Sequence, residues 1–189
     1  MTMGFAIGNG KSREGIDLQR LRAYGLVAGC NRLYQEEEVD ILVATDRQMS
    51  AEIEESRYGL THDFWTRRPR PDYGARKLEK PEYGYSSGPA AVVKLCQREC
   101  KKIFLLGFDL GSADNYVNNL YAGTAHYKTA DMKPTFYGNW ARQIQQTADR
   151  WSNNLFYRVI GNESTAYNFE RTNIIDIDLS NFKMEINSL

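Results

Sequence analysis

The chain of 189 residues contains 24 basic and 24 acidic side chains, so its formal net charge is zero. This length suits one domain with a sizeable core, and the balanced charge argues against a protein that recruits nucleic acid or an anionic membrane through its overall field. No apolar run approaches membrane-spanning length, no secretory signal is recognisable, and three cysteines fit a reducing compartment, so we expect a cytoplasmic protein.

The first third of the sequence alternates between short apolar runs and stretches with helical periodicity. The predicted strands are residues 3–7, 26–30 and 39–44. A helix capped by Ser12 or Asp17 follows the first strand and ends at Gly25, and another covers residues 48–57. Strands that are apolar throughout and separated by helices are typical of a parallel sheet with helices on both faces.

The alternation breaks over residues 57–85, which contain few aliphatic side chains and a basic run of arginines and prolines at 67–71. A connection of this length is either mobile or functional, and we predict an insertion that acts as a mobile lid. The arginines that could cover a bound phosphate are Arg67, Arg68, Arg70 and Arg76. A charged and solvated excursion explains the same composition equally well. Nearby Trp65 and Tyr73 are compatible with base stacking, but a single short basic cluster argues against nucleic acid as a partner.

Regular structure is predicted again after this segment. A helix over 89–100 has Pro89 at its first position and Ser87 or Gly88 as its cap. The remaining predicted elements are a strand at 103–106, a polar second loop at 111–133, a helix at 138–151, and strands at 155–160 and 173–179. We therefore predict a single α/β domain over residues 1–189, with a mostly parallel sheet.

A glycine-rich turn, Gly8-Asn9-Gly10-Lys11-Ser12, directly follows the first predicted strand. Glycines let a backbone come close to a ligand, and the start of a helix offers unpaired N–H groups, so this arrangement predicts a phosphate site. An NTPase phosphate loop needs a glycine where Phe5 stands, and a dinucleotide fingerprint needs one where Arg13 stands. The alternative is a tight turn that binds no ligand.

Glycine, asparagine and aspartate residues follow several of the predicted strands at their carboxyl ends, where open parallel sheets bind ligands. These residues are Gly8, Asn9, Gly10, Asn31, Asp46 and Asp109. Together with Ser12 in the turn, they predict a nucleotide-binding site along one edge of the sheet.

These residues, in this order, resemble the bacterial sialyltransferases of the family that includes the Campylobacter lipooligosaccharide enzymes. The glycine-rich turn is similar to the family's opening Gly-Asn-Gly-x-Ser, and Cys30-Asn31-Arg32-x-Tyr34 is similar to its Cys-Asn-x-x-Tyr. Ser87-Gly88 and the later Leu106-Gly107-Phe108-Asp109 also resemble family motifs. The resemblance covers roughly two thirds of the chain and leaves out residues 57–85.

The resemblance implies a Rossmann-like domain with a lid, a CMP-activated sugar as the donor, and no metal or other cofactor. It assigns nucleotide contacts to Asn9, Asn31, Ser87 and Gly88. It also implies that tyrosines beyond the Gly-x-Asp strand hold the leaving phosphate, for which Tyr116 and Tyr121 are the candidates. Helix-start N–H groups and tyrosine hydroxyls can stabilise that negative charge without a cation.

A general base is also needed to deprotonate the acceptor hydroxyl, and histidine suits this role near neutral pH. The family's histidine lies just before the helix that follows its lid, but the corresponding residues 135–137 contain none. His126 is therefore the candidate base, and it can serve only if the loop is remodelled; a surface role is the alternative. The predicted reaction is sugar transfer from a CMP-activated donor to an unknown hydroxyl, for which a glycan is a possible acceptor.

Two other functions are compatible with the sequence. A metal-dependent enzyme similar to archaeal pterin pyrophosphokinases would use Asp46 to hold Mg²⁺ on the phosphates, although Asp46 is equally well placed to cap the following helix. A non-catalytic nucleotide-binding module would keep the turn and lack a base. Dependence of activity on a metal would distinguish the pyrophosphokinase-like enzyme from the sugar transferase. Nothing in the sequence indicates an oligomeric state.

Overall fold

A single eight-stranded sheet organises residues 2–187, the part of the chain that this computed structural model describes. The strands are β1 (Met3–Ile7), β2 (Leu26–Cys30), β3 (Ile41–Ala44), β4 (Phe64–Thr66), β5 (Arg76–Lys77), β6 (Lys102–Leu106), β7 (Leu155–Ile160) and β8 (Ile174–Asp178). Their order is β5-β4-β3-β2-β1-β6-β7-β8, and every neighbouring pair is parallel. The predicted α/β domain with a parallel sheet is thereby confirmed.

Helices cover both faces of this sheet, as the apolar strands predict. The helices are α1 (Leu18–Leu21), α2 (Arg47–Glu55), α3 (Ser87–Gln97), α4 (Gly138–Arg150) and α5 (Leu179–Asn187). Buried side chains of α3 and α4 pack on one face, whereas those of α1, α2 and α5 pack on the other. Within β1, Ala6 belongs to the first of these two cores and Phe5 and Ile7 belong to the second. Burial on both faces explains why the strand has no polar positions.

Several element boundaries differ from those predicted. Strand β3 begins at Ile41, and the carboxylate of Asp40, which precedes it, accepts a hydrogen bond from Val27 N. Helix α1 is capped by Asp17 rather than Ser12. Helix α3 begins at Ser87, so its cap is Ser86. The sequence patterns did not indicate α5, which follows β8 without an intervening loop.

Residues 57–85, predicted to be a mobile lid, contribute two strands to the edge of the sheet. Strand β4 pairs with β3, and β5 pairs with β4. Phe64 and Leu78 anchor the segment, because both side chains are fully buried. The lid prediction is therefore corrected, since these residues form an edge of the sheet and none of 57–85 borders the main cleft described below.

The arginines of this segment are engaged within it or on the neighbouring helix. Arg67 donates to the carbonyl oxygens of Tyr83 and Tyr85, at 2.8 and 2.7 Å. Arg70 binds the carboxylate of Glu54 at 2.6 Å, and Arg76 lies 3.3 Å from that of Asp63. These contacts stabilise the sheet edge, which explains the basic composition without a bound phosphate. None of the helices within residues 2–187 has the length and apolar character needed to cross a bilayer.

Candidate functional site

The main cleft lies beyond the carboxyl ends of the central strands. Strands β2 and β6 flank β1, so the strand order reverses beside β1, which is where open parallel sheets bind ligands. The cleft has a volume of about 440 Å³, which suits a small molecule. The predicted site residues that border it are Gly8, Asn9, Gly10, Asn31, Asp46, Ser87, Gly88, Asp109 and His126. Ser12, Tyr116 and Tyr121 do not line it.

The two glycines of the turn after β1 allow it to pack against the loop that follows β6. Gly8 N donates to Leu106 O at 2.7 Å, and Gly10 N donates to Gly107 O at 2.9 Å. A Cβ atom would lie 2.6 Å from Gly107 O if added at Gly8, and 2.7 Å from the same atom if added at Gly10. Glycine is therefore required at both positions by the neighbouring backbone, whether or not a ligand binds.

The amides that follow Gly10 already bind an acceptor within the protein. Lys11 N donates to Asn118 Oδ1 at 2.9 Å, and Ser12 N donates to Asp109 Oδ2 at 3.1 Å. The sequence predicted that this turn binds the phosphate of a ligand. In the structure, Ser12 N binds the carboxylate of Asp109, whereas Gly10 N binds a backbone carbonyl. The predicted phosphate role of Gly10 and Ser12 is therefore corrected.

Asp109 is a buried junction between three segments of the chain. Its side chain is 3% exposed, and besides Ser12 N it accepts from Asn118 Nδ2 at 3.1 Å and from the hydroxyl of Ser164 at 2.7 Å. Both carboxylate oxygens are thus engaged by protein donors. Asp109 borders the cleft, but its role in this structure is to hold the cleft wall together.

Two asparagine side chains at the cleft contain polar atoms that the protein does not satisfy. The Oδ1 atoms of Asn9 and Asn31 are buried and have no hydrogen-bond partner, and Asn9 is only 9% exposed. A buried acceptor without a partner costs roughly 1–3 kcal/mol, which a ligand that donates hydrogen bonds would recover. Asn31 also has a left-handed backbone, with φ of 56°, a conformation that asparagine tolerates better than most residues.

The start of α3 offers two backbone amides at the cleft that no protein group within the described residues uses. Ser86 N donates to Gln143 Oε1 at 2.9 Å, whereas no hydrogen bond among residues 2–187 uses the N–H of Ser87 or Gly88. The hydroxyl of Ser87 lies 2.9 Å from Thr45 N and holds this end of the helix against β3. The N-terminus of this 11-residue helix lies at the cleft. Such a position favours an anion, because the free amides and the positive end of the helix dipole both attract negative charge.

The predicted catalytic tyrosines do not reach the cleft. Tyr116 is 53% exposed on the outer side of the second loop. Tyr121 is buried, and its hydroxyl donates to Glu36 Oε2 at 2.9 Å and accepts from Arg13 at 3.1 Å. Burial raises the pKa of Tyr121, so it stays protonated. Both assignments are corrected, since one side chain faces solvent and the other holds the loop in place.

Tyr127 is the tyrosine that borders the cleft, and the sequence did not single it out. Its hydroxyl lies 3.5 Å from Arg32 N, in the turn that follows β2. Burial also raises the pKa of the Tyr127 hydroxyl, so this group is a neutral donor at physiological pH.

His126 lies at the cleft as predicted, and a carboxylate holds it there. Its Nε2 atom is 3.0 Å from Glu52 Oε2, on α2. The adjacent carbonyl of Ala125 accepts from Arg32 at 3.2 Å, which docks the same part of the loop. A left-handed backbone at His126, with φ of 69°, turns the chain at this point. The second loop, and not residues 57–85, therefore supplies the histidine that faces the site.

Comparison of the chain with protein-family models, with curated proteins and with solved structures found no match. The resemblance to sialyltransferases therefore stays a prediction that rests on the motifs quoted above. The chemistry of the cleft has to be inferred from its own groups.

The other reactive side chains at the cleft are less suited to catalysis. Burial raises the pKa of the Cys30 thiol to about 12, so almost no nucleophilic thiolate exists at neutral pH. Asp46 accepts from Gln48 N and Met49 N at 3.0 and 3.1 Å, which makes it the cap of α2. Within residues 2–187 no group of three or more histidine, cysteine or acidic side chains has the spacing of a metal site.

Proposed function

We propose that the cleft binds a CMP-activated sugar and that the protein transfers this sugar to a hydroxyl group, with a glycan as the acceptor. The observation that supports the proposal best is the pair of unsatisfied oxygens on Asn9 and Asn31, beside the free amides of α3. Cytosine carries an amino group and ribose carries hydroxyls, and both donate to amide oxygens. The amides of Ser87 and Gly88 then hold the phosphate.

Transfer requires one bond to break and one to form. The bond between the anomeric carbon and the phosphate oxygen breaks, and CMP leaves with its electron pair. The acceptor oxygen forms the new bond to the same carbon and gives its proton to His126. The amides at the start of α3 stabilise the charge that develops on the phosphate. Lys128, which also borders the cleft, adds a positive charge near it, so this reaction needs no metal.

Nucleotide binding can be tested by thermal unfolding in the presence of CMP, UMP, GMP and AMP, each with and without Mg²⁺. A ligand at about 100 times its dissociation constant stabilises the folded state by about 2.7 kcal/mol, which raises the melting temperature by roughly 5–10 °C for a chain of this size. We expect CMP to give the largest shift, because uracil has a carbonyl where cytosine has its amino group. No shift with any nucleotide would overturn the proposal, and a shift that requires Mg²⁺ would favour the pyrophosphokinase-like alternative.

Replacing Asn31 with glycine removes its side chain and keeps the left-handed backbone, which alanine would strain. We expect the dissociation constant for CMP to rise by about tenfold or more, measured by calorimetry, with little change in melting temperature. The matched control is Asn115→Gly, because Asn115 is also left-handed, with φ of 62°, and lies away from the cleft. Equal CMP affinity in both variants would remove Asn31 from the site.

A further inference from the structure

Glu52 is an acidic side chain on α2 that receives four hydrogen bonds, one of them from His126, which borders the cleft. His126 Nε2 and Arg32 approach its Oε2 atom at 3.0 and 3.2 Å. The hydroxyl of Tyr34 and the amide of Gln35 each lie 3.3 Å from its Oε1 atom. The donors come from the turn after β2 and from the second loop, so Glu52 joins three segments at one point.

An ionised carboxylate only accepts hydrogen bonds, and this property determines the state of the histidine. A neutral His126 that bonds to Glu52 through Nε2 must carry its proton on that atom. Its Nδ1 atom is then an unprotonated acceptor, and no hydrogen bond in the described part of the chain uses it. His126 borders the cleft, where such an acceptor can take the proton of a hydroxyl group.

We propose that Glu52 is a positioning residue for the sugar transfer, which holds His126 in the tautomer that leaves Nδ1 free to act as the base. This inference rests on the proposed function. Once Nδ1 has taken the proton, the imidazolium carries a positive charge, and the adjacent carboxylate of Glu52 stabilises that charge. Arg32 faces the same carboxylate, and Lys128, Asp46 and Asp109 are the other charged side chains that border the cleft.

Glu52 could instead serve only as a tether for the loop, because Arg32 links it to Ala125. A tether requires hydrogen bonds but no negative charge. Glu52→Gln separates the two roles, since glutamine has the same shape and can still bond to its neighbours. Its amide can donate as well as accept, so it no longer selects one tautomer of His126.

The tautomer can be observed directly by NMR with labelled histidine, because the chain has only two histidines. We expect the wild-type protein at a pH where His126 is neutral to show its proton on Nε2, and Glu52→Gln to show a mixture of both tautomers. His62 does not bond to Glu52, since its Nδ1 lies 2.8 Å from the hydroxyl of Thr61 and 3.2 Å from the carbonyl oxygen of Tyr58, and it provides an internal reference. The control variant is Glu55→Gln, on the same helix, whose carboxylate pairs with Arg70.

Release of CMP from CMP-sialic acid, with water as the acceptor, provides the second measurement. We expect Glu52→Gln to lower this rate by about tenfold or more, with unchanged affinity for CMP, and Glu55→Gln to leave both unchanged. A wild-type proton on Nδ1, an unaltered tautomer in Glu52→Gln, or an unaltered rate would each overturn the role of Glu52. If the tautomers behave as expected but the wild-type protein releases no CMP, the proposed function is wrong and the placement of His126 by Glu52 still holds.

Discussion

Replacing His126 with asparagine is expected to slow the release of CMP from CMP-sialic acid by about 10²–10⁴-fold, the usual contribution of a general base. Asparagine tolerates the left-handed backbone that His126 has, with φ of 69°. It also keeps a polar side chain next to Glu52, so the loop should remain in place. The affinity for CMP should stay within about twofold, because the histidine acts on the acceptor and does not bind the nucleotide.

Two further variants make this expectation specific. His62→Asn should release CMP at the wild-type rate, since His62 stacks on Tyr58 outside the cleft. His126→Gly leaves a gap the size of an imidazole ring, so added imidazole should restore part of the lost rate in this variant only. An unchanged rate in His126→Asn would show that His126 is not the base. No measurable release by the wild-type protein would favour the non-catalytic nucleotide-binding module instead.

The central sheet could be predicted because its strands are buried on both faces and carry an unbroken apolar signal. The strands at the β5 edge of the sheet have no such apolar run. Strand β5 is a pair of exposed basic residues, Arg76 and Lys77, and strand β4 has three residues. Composition alone therefore indicated a solvated excursion, because the pairing that makes these residues strands comes from β3, some twenty residues earlier in the chain.

The cleft could be located for a related reason. Carboxyl ends of parallel strands meet at one edge of a sheet, so Asn9 and Asn31 were expected together, and both border the cleft. What could not be predicted was the partner of each polar group. The amide of Ser12 is bound by a carboxylate 97 positions away, and His126 is held by one 74 positions away. Local patterns contain no information about such contacts.

The same limit explains why the sequence did not show which tyrosine borders the cleft. Residues 107–137 contain no helix or strand in the structure, so no periodicity indicates which of their side chains face inward. Tyr116, Tyr121 and Tyr127 lie in the same polar stretch of sequence, and only the path of the loop decides which of them faces the cleft. That path depends on Asp109 and on Glu52, which fix its beginning and its middle.

Replacing Asp109 with alanine is expected to lower the free energy of unfolding by about 3–5 kcal/mol, because Ser12 N and the hydroxyl of Ser164 lose their acceptor and Asn118 loses one of its three. This corresponds to a fall in melting temperature of roughly 10 °C. Asp109→Asn should cost much less. Its remaining oxygen can accept from Ser12 and Asn118, and its amino group can donate to the hydroxyl of Ser164, which rotates to accept.

Formate tests whether the turn after β1 is an anion site that the protein fills itself. It matches a carboxylate in size and charge, so it should raise the melting temperature of Asp109→Ala while leaving the wild-type protein unchanged. Such a result would mean that the glycine-rich turn binds Asp109 as its anion, and that a nucleotide phosphate has to use the amides of Ser87 and Gly88 instead. If Asp109→Ala were as stable as the wild-type protein, the turn would not need its internal carboxylate, and the phosphate could bind there.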